Sequence, residues 1–103
     1  MADVWSDNKI DRIVADSFAM LGGELSGCLF SKGEHNRALQ KLIPRSRGSI
    51  ELKHQNIGAV LLGLNERWID GYKPAVNFQN ALVDGVLRWL NARPDWLAPK
   101  ADS

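Results

Sequence analysis

A chain of 103 residues that is 45% hydrophobic and 24% charged has the composition of an ordinary globular protein, which argues against wholesale disorder and predicts one domain over 1–103. A net charge of +1 gives no general attraction to polyanions, no apolar run approaches a membrane span, and the first residues lack a basic-then-apolar leader, so a cytoplasmic protein with no membrane partner is expected. Cys28 is the lone cysteine; it cannot form an intramolecular disulfide, fits a reducing compartment, and reads as a small core or loop hydrophobe.

Charge is unevenly placed. Residues 1–31 hold two basic and five acidic side chains, whereas residues 32–53 hold six basic and two acidic ones. The second segment is a candidate face for phosphate or an acidic partner.

The first helix is predicted over 7–25. Ser6 is a good N-cap, Asp7 suits the positive helix end, and Trp5 and Ile10 fill the two hydrophobic-staple positions. Ile10, Ile13, Val14, Phe18, Leu21 and Leu25 then recur at helical spacing, with Lys9, Asp11, Arg12 and Asp16 as the wet face. Gly27 is the expected stop. A capping box, Ser31-Lys32-Gly33-Glu34, opens a second helix over 32–43 whose apolar face is Ala38, Leu39, Leu42 and Ile43, with His35 bordering the core. Pro44 ends it.

Ser46 caps a third helix over 47–64, so only a short turn separates it from the second. Two helices so joined cross at a large angle, the connectivity of a helix-turn-helix, with the first helix packing across both. Ile50, Ile57, Leu61 and Leu64 form its main apolar face, while Leu52, Ala59 and Leu62 fall on nearly the opposite side. A helix apolar on two sides is central, so a fourth helix is expected to cover that second side. Asp70-Gly71 suggests a turn, with Trp68, Ile69 and Tyr72 anchoring the loop. Asn77 can cap the last helix, over 78–92, with Phe78, Leu82, Val86, Trp89 and Leu90 inward. A tail follows over 94–103, docked through Trp96 or leading into a linker. The fold expected is all-α: four helices around a trihelical, helix-turn-helix-like core.

The polar N-terminal half of the third helix is the candidate functional surface. Arginine and lysine donate to guanine edges, and asparagine and glutamine both donate to and accept from adenine. Arg45, Arg47, Lys53, Gln55 and Asn56 are therefore candidate principal DNA contacts. Ser46 and Ser49 accompany them at the helix start, and Lys32, Arg37 and Lys41 support on phosphate. Two histidines and one cysteine offer no metal-ligand set. No nucleophile with a base and an orienting group stands out, since Ser49 and His54 lie on different sides of their helix. His54 reads as a buried, hydrogen-bonded histidine. No catalytic residue and no cofactor is expected.

Two resemblances meet on these residues. The pattern W-S-x-x-x-I-x-x-I-V from Trp5, followed by L-x-x-L-I-P-R-S-x-x-S-I-x-x-K-x-x-N-I from Leu39, resembles the layout of Myb/SANT-type three-helix domains over about residues 5–64. RSRGSIELKHQNIGAVL (45–61) followed by IDGYKPAVNFQNAL (69–82) resembles a small helical domain at the N-terminus of bacterial restriction-type proteins bearing HNH nuclease or related defence domains. That resemblance implies an accessory module that contacts double-stranded DNA, freestanding or beside a nuclease domain. The alternative is a protein-interaction or dimerisation module, with Leu52, Leu62, Trp68, Tyr72 and Trp96 as its interface.

Overall fold

The computed structural model describes residues 5–69, 72–76 and 78–96. Four α-helices share one core: α1 (Asp7–Leu25), α2 (Lys32–Leu42), α3 (Arg47–Gly63) and α4 (Asn80–Ala92), followed by a 3₁₀ turn, Pro94–Trp96. The fold is all-α, with no strand among the described residues. Asp70, Gly71, Asn77 and the tail from Leu97 onward, assigned above to a turn, a cap and a tail, lie outside the described residues.

The helix starts follow the capping chemistry. Ser6, Ser31 and Ser46 each accept a hydrogen bond from the backbone N–H three residues on, at 3.1–3.3 Å, satisfying a donor that the first helical turn leaves open. Two helix ends are Schellman turns. After α1, Gly27 takes a φ of +78°, and Cys28 N–H donates to the Gly23 carbonyl at 2.7 Å. After α3, Asn65 takes a φ of 60°, and Glu66 N–H donates to the Leu61 carbonyl at 2.8 Å. Cys28 is exposed in the loop between α1 and α2. The fourth helix starts two residues later than expected, at Asn80, with Gln79 at the cap position and no side-chain cap bond.

Helices α1 and α3 form the middle of the molecule: each touches all three others, whereas α2 and α4 do not meet. Three-sided contact explains why α1 buries Ile10, Ile13, Val14, Ser17, Phe18, Met20 and Leu21, a wider stripe than one facing helix needs. Against α4 the approach is close. A Cβ added to Gly85 would lie 2.5 Å from Ile10 Cγ2, so glycine is what lets these two backbones come together. Phe18 stacks on Trp89 at 3.8 Å, and Trp96 meets both rings edge-on. The first turn of the tail is thereby docked.

Several apolar positions depart from expectation. Leu25, Leu42 and Leu64 are exposed; Leu25 and Leu42 are the last residues of their helices and Leu64 is the C-cap of α3. Ala38 is exposed as well. On the second side of α3, the segment 72–76 supplies a cover that had been expected from the fourth helix alone. Ala75 N–H donates to the Gln55 carbonyl at 3.1 Å, Asn56 Nδ2 donates to the Ala75 carbonyl at 2.6 Å, and Gly58 lies beneath Trp68, Tyr72 and Pro74. Leu52 and Leu62 are left about half exposed, at 51% and 48%.

Candidate functional site

The outward side of α3 in its first three turns presents Arg47, Gly48, Glu51 and Leu52, with Ser49, Lys53 and Gln55 half-buried at the edges. Ile50, on the inner side, is fully buried and holds the helix against the core. The side chains expected to act together divide into two flanks.

On one flank, Arg45 and Lys53 converge on Trp5. The Lys53 ammonium lies 5.0 Å, and the Arg45 guanidinium 5.4 Å, from the centre of the Trp5 ring, itself buried just ahead of α1. Cations over an indole face are held by its quadrupole as well as by packing of their stems. Partial burial, and then repulsion from Arg45, push the Lys53 ammonium below its usual range.

On the other flank, Arg47, Glu51 and Gln55 line a polar cleft with Lys32 and Asn36 of α2 and with Tyr72. Arg47 Nε lies 3.5 Å from Glu51 one turn on, an exposed pair of small energetic consequence. The Lys32 ammonium stands 5.0 Å over the Tyr72 ring. Arg37 and Lys41 are exposed on α2. Ser46 Oγ is occupied as the cap of α3. Asn56 is 3% exposed and its amide is tied to Ala75, so its side chain holds the 72–76 segment and is not presented to solvent. Of the candidate interface residues, Leu52, Leu62 and Trp68 are exposed, whereas Tyr72 is buried and Trp96 packs on Phe18 and Trp89.

Sequence reasoning missed a polar cluster beneath this surface. His54 is 2% exposed; its Nδ1 lies 2.5 Å from Ser17 Oγ, its ring stacks on Tyr72, and its Nε2 lies 3.6 Å from Asp16 Oδ2. The other Asp16 oxygen accepts from His35 Nδ1 at 2.7 Å. The cluster thus joins α1, α2 and α3. Burial, reinforced by the His35 charge, holds the His54 imidazole down at about 4. Burial also raises Asp16, with the hydrogen bond and charge of His35 opposing. Serine, histidine and aspartate side chains do meet here, but Ser17 is 3% exposed and its hydroxyl faces the interior. What the arrangement does is clamp helices. One signal could have revealed it: Ser17 falls in the middle of the α1 apolar stripe, one turn after Ile13 and Val14 and one before Leu21. A polar residue there needs a buried partner.

Among the described residues no three His, Cys, Asp or Glu side chains converge to hold a metal, and no helix is long and apolar enough to cross a membrane. Comparison with protein-family models, curated proteins and solved structures gave no match. Fold and surface together define a four-helix domain with a cationic start to its central helix α3.

Proposed function

We propose that this domain is a non-catalytic module that docks double-stranded DNA with the N-terminal half of α3. The observation that carries the reading is the pair Arg45 and Lys53, brought together over Trp5 beside the positive end of α3. They serve as the phosphate anchor. Arg47 and Gln55 carry donors suited to base edges, with the exposed Leu52 beside their row as an apolar contact. Lys32, Arg37 and Lys41 extend the positive surface along α2. In keeping with the resemblance of residues 45–61 and 69–82, the module belongs to a bacterial restriction or defence protein, beside a nuclease or related domain.

The test is a salt-dependent mobility shift on duplex DNA, with duplex RNA in parallel. Arg45→Gln with Lys53→Gln should remove about two units from the slope of log affinity against log salt, roughly 0.9 for each phosphate no longer neutralised. An unchanged slope, or no binding of DNA at low salt, defeats the reading.

A second reading has its own observation. Leu25, Leu62 and Trp68 are exposed around a groove at the far end of α1 and α3 that Glu24, Glu66 and Arg67 also line, a mix of apolar and charged groups that protein interfaces use. Light scattering on the purified chain tests self-association there: a concentration-dependent dimer abolished by Leu62→Glu favours an interaction module, and a strict monomer counts against self-docking.

A further inference from the structure

The outer face of α2 carries a row that neither the core nor duplex docking accounts for. Glu34, Ala38, Lys41 and Leu42 return at helical spacing, and all four are exposed, Leu42 at 57%. Beside this row, α1 and α2 leave a groove of about 390 Å³. The nearly buried Leu39 lines it, as do the exposed alanines Ala15 and Ala38, with Leu42 alongside. Asp16 lines it too but is committed to His35 at 2.7 Å. Neither Glu34 nor Lys41 forms an ion pair with a described residue. Their order along the helix is what singles out an occupant. The acid lies in the first turn and the base in the last, two turns apart and nearly in line, with Ala38 between them. Turned end for end about Ala38, the row sets acid on base, base on acid and alanine on alanine. Such a face is complementary to itself, as an isologous contact requires.

We propose that two copies of this chain pair through α2, antiparallel about a two-fold axis at Ala38. Glu34 of each copy faces Lys41 of the other, and the two small Ala38 side chains let the helices approach closely. Leu42 of each, turned toward α1, enters the groove of the other beside Ala15. Antiparallel helices also set opposite dipole ends together. One helix face and one leucine make a small contact, at the weak end of specific interfaces, so the dimer forms at high protein concentration. Lys41 is the one residue that this contact shares with the docking surface. Pairing is therefore tested on the free protein, where its failure and that of DNA docking are separate results.

The experiment is sedimentation velocity on the free chain from about 10 μM to about 1 mM, with ¹⁵N–¹H correlation spectra over the same range. A concentration-dependent dimer is expected, with dilution shifts at residues 34–42 and Ala15. Lys41→Glu sets acid against acid twice over and should raise the dissociation constant about tenfold or more. Glu34→Lys with Lys41→Glu exchanges both partners and should bring much of the affinity back, which a general loss of charge or stability would not do. Ala38→Glu places two carboxylates together at the axis and should abolish the dimer. It is the decisive variant where the exchanged charges, which oppose the α2 dipole, unsettle the helix by circular dichroism, because Ala38 is exposed and lies away from both helix ends. Leu62→Glu, in the groove at the far end of α1 and α3, should leave this dimer intact. A strict monomer at about 1 mM, a dimer that survives Ala38→Glu, or a dimer lost in Leu62→Glu overturns the inference. So does a double exchange that pairs no better than Lys41→Glu while α2 stays helical.

Discussion

The two sides of α1 are held by different physics. Toward α4 the contacts are dry and tight: Ile10 on Gly85, and the rings of Phe18, Trp89 and Trp96. Toward α2 and α3 the shared apolar core is joined, at the middle of the helix, by a buried polar cluster, Asp16 and Ser17 with His35 and His54, and the Asn36 amide bonds to the start of α3. Apolar packing is insensitive to pH and salt and tolerates many sequences of the right volume. Polar networks demand particular partners and fix geometry at the cost of desolvation. The candidate DNA-docking surface adjoins the polar side, with the core residue Trp5 as the platform under Arg45 and Lys53.

The largest expected effect breaks the dry side. Phe18→Ala removes the ring on which both Trp89 and Trp96 pack, and should lower unfolding free energy by about 3–5 kcal/mol, read from urea melts. A loss below about 1 kcal/mol would mean the aromatic cluster is not the fastening it looks to be.

Acid should distinguish the sides next. The unfolded chain protonates His54 near its ordinary value of 6.5, the folded one only near about 4. Between these values the unfolded state binds more protons, so stability present above pH 6.5 drains away as pH falls toward 4. The ceiling is on the order of 3 kcal/mol. Asp16, raised in the folded state, acts in the opposite sense and reduces the loss; His35 and Tyr72 are the other titratable groups against the ring. Urea melts at pH 7.5, 5.5 and 4.5 should show the decline in the parent and a clearly smaller one in His54→Gln. Equal declines would place the acid-sensitive group elsewhere.

How much of this was legible depends on range. Caps and helical periods involve residues a few positions apart, so Ser6, Ser31 and Ser46 announced their helices, and α1 runs over the residues expected. Burial of His54 was readable from its place beside the apolar face. Its partners were not, because Ser17 and Asp16 come from a helix separated by a loop and all of α2. Asn56 misled for a related reason. Its amide suits base recognition in isolation, and only the arrival of residues 72–76 across α3 commits it to Ala75. The candidate surface could therefore be found along the chain as a solvent-facing basic segment, while its division into an Arg45–Lys53 flank and an Asn36–Gln55 cleft needed the tertiary fold.

A third change probes how tightly the dry side is drawn. Gly85→Ala places a methyl 2.5 Å from the branched Ile10, and neither backbone can yield without disturbing a fully buried row. Overpacking of this kind costs about 1–3 kcal/mol, from which alanine's better helix propensity returns up to about 1. A lower melting temperature with an unchanged pH profile is expected. The penalty of Gly85→Ala should shrink in an Ile10→Ala background, because alanine lacks the Cγ2 that makes the contact. An undiminished penalty would place the strain elsewhere.

The smallest effect is the most discriminating, because it is matched across the two regions. Ser6 caps α1 and Ser46 caps α3 through equivalent hydrogen bonds, to Lys9 and Ser49 N–H at 3.3 and 3.1 Å. Each serine-to-alanine change should cost about 1 kcal/mol of stability, the same on both sides. Their effects on ligand should differ. Ser46 is flanked by Arg45 and Arg47 and sets the angle at which the chain enters α3, so its loss frays the turn that aims both arginines. Duplex affinity should fall roughly two- to fivefold in Ser46→Ala, the scale of a helix-terminus interaction of about 0.3–1 kcal/mol, and by less in Ser6→Ala, which reaches the anchor only through the neighbouring Trp5. Equal affinities in the two variants would separate the start of α3 from DNA docking, even with both melting temperatures lowered as expected.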